Sequence, residues 1–244
     1  MANLDETQIA RLLRRLPPAP QAWMQAVAPG SAEVEWESEP AIDDVLVPDV
    51  VAHLMESGEA LPGRSVENLL ESLADERRTP GAGLLAGLTA ALAASVVEMV
   101  ARVSRPVWRE APGVQAQAEL LGARALRLAQ DNETSYGRAL TLLGAPQGGN
   151  RELGNALSRA ADVPLEIAEA AADLSSLARS AWEAGDQAVR ADAAAAAALA
   201  AGAAQAAAGL VEANLLVSAD DARGARARGL ARAAADEVRA TVRA

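Results

Sequence analysis

Two patterns of apolar and polar positions divide this chain. Up to about residue 60 the apolar residues are interleaved with acids: Glu33, Glu35, Glu37 and Glu39 alternate with Val34, Trp36 and Ser38. A period of two predicts a strand or an extended segment with one wet face. Before it, Leu4 to Leu16 reads as a short helix stopped by Pro17, Pro18 and Pro20. From about Arg64 the period becomes helical and stays so. Ser65 is placed to cap a helix carrying Leu69, Leu70 and Leu73 on one face. Thr79-Pro80 is a cap followed by a first-turn proline, opening an apolar helix to about Val103. Pro106 and Pro112-Gly113 predict breaks, and a helix from Val114 to Leu143 ends near Gly144-Ala145-Pro146. A short helix covers Glu152 to Arg159. Pro164 opens the next, in which Ile167, Ala170, Leu174, Leu177 and Ala181 keep the 3.6-residue period. An alanine helix from about Ala188 to Val217 and a closing Arg/Ala/Asp helix from Ala219 complete the chain.

The expected fold is therefore all-α, a bundle of long, closely packed antiparallel helices rich in alanine and glycine. Residues 1–60 form an acidic N-terminal arm, partly extended or disordered, and residues 61–244 the helical domain. Small side chains let helix backbones approach closely. Each alanine buries little area, though, and at roughly 25 cal/mol per Å² such faces need long contacts or a second subunit. A two-fold homodimer is the simplest expectation.

Composition narrows the chemistry. The 244 residues include no Cys, no Lys and a single His, so all 22 basic side chains are Arg. Thiol nucleophiles, thiolate metal sites and Schiff bases are excluded, and His53 alone supports neither a Ser-His-Asp triad nor a multi-His metal site. No metal is expected; carboxylates, amides, hydroxyls and backbone dipoles must do any chemistry. The net charge of -11 argues against nucleic acid as a partner. It is uneven, because residues 1–60 hold 11 acids against 3 Arg, which makes them a candidate docking segment for a protein partner. No secretory signal is recognisable, and the uncharged run Ala193–Val211 reads as a buried helix rather than a membrane span. The expected compartment is the cytoplasm.

Four stretches resemble the cyclodeaminase/cyclohydrolase family, which includes formiminotransferase-cyclodeaminase and methenyltetrahydrofolate cyclohydrolases. The first, Leu69 to Ser104, is similar to the family's leucine-rich helix, P-G-G-G-S loop and small-residue helix ending in "MVA". Leu126 to Leu140 is similar to its "LLELIDEDAEAF" helix. Val163 to Leu215 is similar to its proline-started helix, "SDA" and alanine helix ending in "INL", and the closing Arg/Ala helix also fits. The resemblance covers about residues 64–244. It implies an all-helical homodimer binding a reduced folate, with a tetrahydrofolate derivative as substrate and no metal. The chemistry would be lyase or hydrolase: expulsion of ammonia from 5-formiminotetrahydrofolate, or opening of the methenyl ring by water. The alternative is a non-catalytic helical dimer that keeps the scaffold and binds a partner through residues 1–60.

Site residues follow from the same matches. Asp192 stands at the aspartate of "SDA" and is the catalytic candidate, a carboxylate able to move a proton; as plain sequence it is a first-turn acid favoured by the helix dipole. Pro80, Gly81 and Gly83 fall in the glycine-rich loop, where unpaired N–H groups suit a carboxylate or ring carbonyl; read structurally, the glycines permit close packing. Asn132 stands where the family has Asp and is assigned to ligand binding, since a carboxamide does not exchange protons at neutral pH. Leu84 replaces the loop's Ser. Asn214 matches the Asn of "INL", and at ~1.5 Å per residue it lies about 33 Å from Asp192 along one helix. The two would line opposite ends of a groove or meet through a dimer axis.

Overall fold

The structure is a computed structural model that describes residues 65–74, 81–144, 150–215 and 221–242. The expectations placed on residues 1–60, and on Pro80, lie outside the described residues. Among the described residues six α-helices run α1 (Val66–Ala74), α2 (Ala82–Ser104), α3 (Ala111–Gly144), α4 (Asn150–Ala184), α5 (Arg190–Asn214) and α6 (Ala222–Val242), with a 3-10 turn at Gln187–Val189. No strand occurs among the described residues.

Ser65 caps α1 as its sequence suggests, its hydroxyl accepting from the Asn68 N–H at 3.2 Å. Leu69 and Leu73 are half-buried, but Leu70 turns outward at 61% exposure and does not join their face. The break expected at Pro106 is present, in the turn between α2 and α3, whereas the break at Pro112-Gly113 and the helix start at Pro164 are not. Helix α3 starts at Ala111, before Pro112, because a first-turn proline lacks only an N–H that would have had no partner. Helix α4 runs unbroken through Pro164, joining the two separate helices expected there.

Packing fixes the topology as up and down. Val97, Val100 and Ala101 of α2 share one core cluster with Ala178 and Ala181 of α4 and with Ala193, Ala196 and Ala197 of α5. One level along, Ala90, Ala93 and Ala94 meet Ala125, Ala171, Leu174, Ala200 and Ala204. Beyond these, Ala86 meets Leu128, Ile167, Ala168 and Ala207. Rising numbers on α2 thus match rising numbers on α4 and falling ones on α3 and α5. Helix α6 lies along α4 and α5 through Ala227, Ala231 and Ala234.

Backbone proximity depends on glycine where α2 crosses α3. A Cβ on Gly87 would stand 2.8 Å from the Ala129 Cβ and 2.9 Å from the Ala125 carbonyl oxygen. The alanine run of α5 is buried on one side only: Ala193, Ala196, Ala200, Ala203, Ala207 and Val211 point inward. Ala195, Ala198, Gly202, Gln205, Ala206 and Gly209 are exposed, so the buried helix expected there is buried on one half of its circumference. Both α2 and the segment Gln187–Asn214 are long and apolar enough to cross a membrane by length and composition, with about half of each window (50% and 44%) buried in the bundle.

Candidate functional site

The sequence-derived candidates divide between the two ends of the bundle. At one end lie Gly81, Gly83, Asn132 and Asn214; at the other lies Asp192. Gly83 and Val100 of α2 sit at these opposite ends, about 25 Å apart at 1.5 Å per residue.

The first end is built on the start of α2. The Leu73 side chain of α1 lies against its N-cap, Gly81, which supplies no side-chain hydrogen bond to the first-turn N–H groups. Asn132 of α3 faces them. Falling in step with α2, α3 sets Gly122 against Ala94, Ala129 against Gly87, and Asn132 against Gly83, where an added Cβ would overlap the carboxamide. Asn132 is 8% exposed. Its side chain makes no hydrogen bond to any described residue, and its amide atoms are not shut off from solvent. Sequence alone would place Asp131, Asn132 and Glu133 together on a wet face; in the structure Asp131 is exposed and Asn132 is turned into the bundle.

Asn214 reaches the same end but has a different task. Its Nδ2 donates to the Ala160 carbonyl oxygen at 2.7 Å. In an uninterrupted helix that carbonyl would accept from the N–H four residues on, which is Pro164 and has none. Asn214 thus completes the ladder that Pro164 leaves open, and this is how α4 passes through a proline. The pair was detectable in principle, since a proline inside a continuous helical period demands a substitute donor. Only the fold shows which residue supplies it.

One turn beyond Asn132 lies Tyr136, the chain's only tyrosine. It is half-buried, and burial pushes its phenol up from the ordinary value, so it is a neutral hydroxyl throughout the neutral range.

The second end is built on the turn between α4 and α5. The Ser104 hydroxyl, fully buried, accepts from the Asp186 N–H at 2.8 Å. The Asp186 side chain accepts in turn from the Ala188 N–H at 2.9 Å, starting the 3-10 turn that leads into α5. Asp192 stands exposed in the first turn of α5. Beside it the Arg190 guanidinium lies 3.9 Å from the Trp182 ring centroid, with its Nε buried and unpartnered. No charged side chain pairs with Arg190 among the described residues. Among those residues, too, no group of three His, Cys, Asp or Glu side chains is placed to hold a metal ion.

Sequence and fold comparisons point the same way. The chain matches the formiminotransferase-cyclodeaminase family over residues 65–232. Its fold is similar to that of a formiminotetrahydrofolate cyclodeaminase from Thermotoga maritima, with a TM-score of 0.63 at 22% identity, covering 74% of this chain and 98% of that one. No curated protein matches the sequence.

Proposed function

Because the chain belongs to the formiminotransferase-cyclodeaminase family, we propose that it is an enzyme of tetrahydrofolate one-carbon units. It would either close 5-formiminotetrahydrofolate to the methenyl form with loss of ammonia, or open the methenyl ring with water. The observation that carries this reading is the Asn132 side chain lying on Gly83 at a helix start whose N-cap, Gly81, supplies no side-chain cap. A side-chain amide beside the first-turn N–H groups of a helix offers a donor, an acceptor and a favourable dipole to an oxygen-bearing ligand.

Both reactions need one group that moves a proton to or from nitrogen or water, and Asp192 is the assigned carboxylate. Within one chain it stands at the far end. A homodimer resolves the separation. The outward face of α5 (Ala191, Ala195, Ala198, Gly202, Ala206, Gly209) is smooth and uncharged, and beside it α2 exposes Leu85, Leu92 and Val103. A two-fold axis crossing α5 near Gly202 would set Asp192 of one protomer level with residue 212 of its partner. That is the Asn132 end. The reduced folate would then bind between protomers, with Gly81, Gly83 and Asn132 orienting it.

The test is the decay of 5,10-methenyltetrahydrofolate absorbance against the spontaneous rate, with ammonia release from the formimino substrate measured in parallel. Acceleration by protein that disappears in Asp192→Ala supports the reading; no acceleration of either reaction refutes it. Mixing inactive Asp192→Ala with inactive Asn132→Leu checks the shared site. Random two-fold assortment restores one native site in each mixed dimer, about a quarter of wild-type activity. No recovery places both residues in one protomer's site.

A further inference from the structure

Asp192 is exposed and makes no hydrogen bond or ion pair to any described residue. The backbone therefore decides where its carboxylate stands. That backbone is the first turn of α5, whose N-cap, Val189, supplies no side-chain hydrogen bond. A helix end without a side-chain cap frays unless something else holds the entering chain. Here the hold comes from α2. Ser104, the last residue of α2 and fully buried, accepts from the Asp186 N–H at 2.8 Å, a bond between residues 82 positions apart. Its carbonyl oxygen accepts from the Val107 and Trp108 N–H groups at 3.0 and 2.8 Å, so Ser104 is itself anchored in the turn that leaves α2. Gly185 makes the fit close: an added Cβ there would stand 2.9 Å from the Ser104 hydroxyl and 2.3 Å from the Ala181 carbonyl oxygen. From Asp186 the hold passes along the chain. The Asp186 carboxylate accepts from the Ala188 N–H at 2.9 Å, and its carbonyl oxygen accepts from the Val189 N–H at 3.1 Å. Arg190, two residues before Asp192, is stacked on Trp182 of α4.

We propose that Ser104 is a positioning residue for Asp192, holding the turn that starts α5 and so fixing the place of the carboxylate. The inference rests on the folate reading above, in which Asp192 moves the proton. Proton transfer needs donor and acceptor about 2.6–3.2 Å apart, and a displacement of about 1 Å costs up to about 10²-fold in rate. Without the Ser104 hydroxyl the Asp186 N–H loses its acceptor, and the turn is free to shift against the end of α2. Asp192 shifts with it, because no partner of its own holds it back. Gly83 and Asn132 lie at the opposite end of α2 and keep their places. The loss should therefore fall on the chemical step and leave ligand binding intact.

The test is steady-state kinetics of the full chain on the methenyl and formimino substrates, at a temperature where circular dichroism shows every variant folded. Ser104→Ala removes the acceptor, and Asp186→Ala removes the bond to Ala188 one step along the same turn. Each should lower kcat about 10- to 100-fold with KM unchanged. Asp186→Asn, whose carbonyl oxygen accepts the same hydrogen bond, should recover the rate lost in Asp186→Ala. An unchanged kcat in Ser104→Ala overturns the inference while leaving the folate reading standing, and so does a change confined to KM. An Asp186→Asn protein as slow as Asp186→Ala also overturns it, by showing that the Asp186 carboxylate is needed for its charge. If Ser104→Ala does not fold, the two Asp186 variants decide in the same way. A wild-type protein that accelerates neither reaction refutes the folate reading and the inference with it.

Discussion

Replacing Gly87 with alanine adds one methyl group at the tightest crossing of α2 and α3. That methyl would stand 2.8 Å from the Ala129 Cβ, 2.9 Å from the Ala125 carbonyl oxygen and 3.0 Å from the Ala129 Cα. Normal carbon contacts lie near 3.5–4.0 Å, so the helices must separate locally by about 0.7–1 Å. Nothing soft can yield, because the obstacles are a backbone and a Cβ on residues with no exposed surface. Overpacking of this kind costs about 2–3 kcal/mol. The intrinsic gain of alanine over glycine in a helix interior returns about 1 kcal/mol, leaving a net loss of about 1–2 kcal/mol. The control is Gly229 in α6, around which no atom lies within 4 Å of an added Cβ. There the same change keeps only the propensity gain, about 0.5–1 kcal/mol of stabilisation. One chemical substitution at two sites should therefore differ by about 1.5–3 kcal/mol, with opposite signs. Urea unfolding followed at 222 nm measures both variants at one fixed protein concentration, because association shifts apparent stability. A Gly87→Ala protein as stable as wild type would refute the close α2–α3 approach, and with it the placement of Asn132 on Gly83.

The Arg223 guanidinium bonds the Ser158 carbonyl oxygen at 2.9 Å, Asp162 at 2.6 Å and Asp221 at 2.7 Å, fastening the start of α6 to α4. Arg223→Ala should lower stability by about 2–3 kcal/mol at pH 7, read by thermal melting. Hydrogen bonds from Arg223 hold the Asp221 carboxyl below its ordinary value. A depressed carboxylate contributes stability that is present above its unfolded pKa and lost as pH falls through the folded one. The gap between wild type and Arg223→Ala should therefore narrow in acid; a gap that stays constant from pH 7 to pH 3 would count against the clasp. Asn214→Ala should cost about 1–2 kcal/mol by orphaning the Ala160 carbonyl, and markedly less in a Pro164→Ala background, where the restored N–H takes over. A denaturation cycle showing simple additivity would rule that pairing out. Ser104→Ala should cost about 1–2 kcal/mol, since the Asp186 N–H loses its partner in a buried turn. No change in melting temperature would mean that water takes the hydroxyl's place.

The helical class and most helix positions were legible in the sequence because they depend on local quantities. The 3.6-residue period, the Ser65 cap and the alternation of small inward residues are all visible without a partner. Pro164 and Pro112 misled because proline's cost depends on what else reaches the orphaned carbonyl. At Pro112 the missing N–H falls in a first turn and matters little; at Pro164 a residue 50 positions later fills the gap. The candidate site was legible in part. Asn132 and the glycine loop could be paired only by the antiparallel register of α2 and α3, a tertiary property.

An alanine core also shapes how a site can be made. Side chains this small fill the space between helices so closely that the interior has little room for catalytic groups. Gly83 leaves room for Asn132, and a methyl there would remove it. Polar chemistry is consequently pushed to the ends of helices, where N–H groups are free and neighbouring helices stop short. In a long bundle the two ends are about 25 Å apart, too far for one ligand to span with reacting geometry. If the proposed ligand binds at one end and Asp192 moves the proton at the other, a second copy turned end for end would bring the two together. The bare faces of α2 and α5, smooth and uncharged along most of their length, are the surfaces on which such a copy can lie.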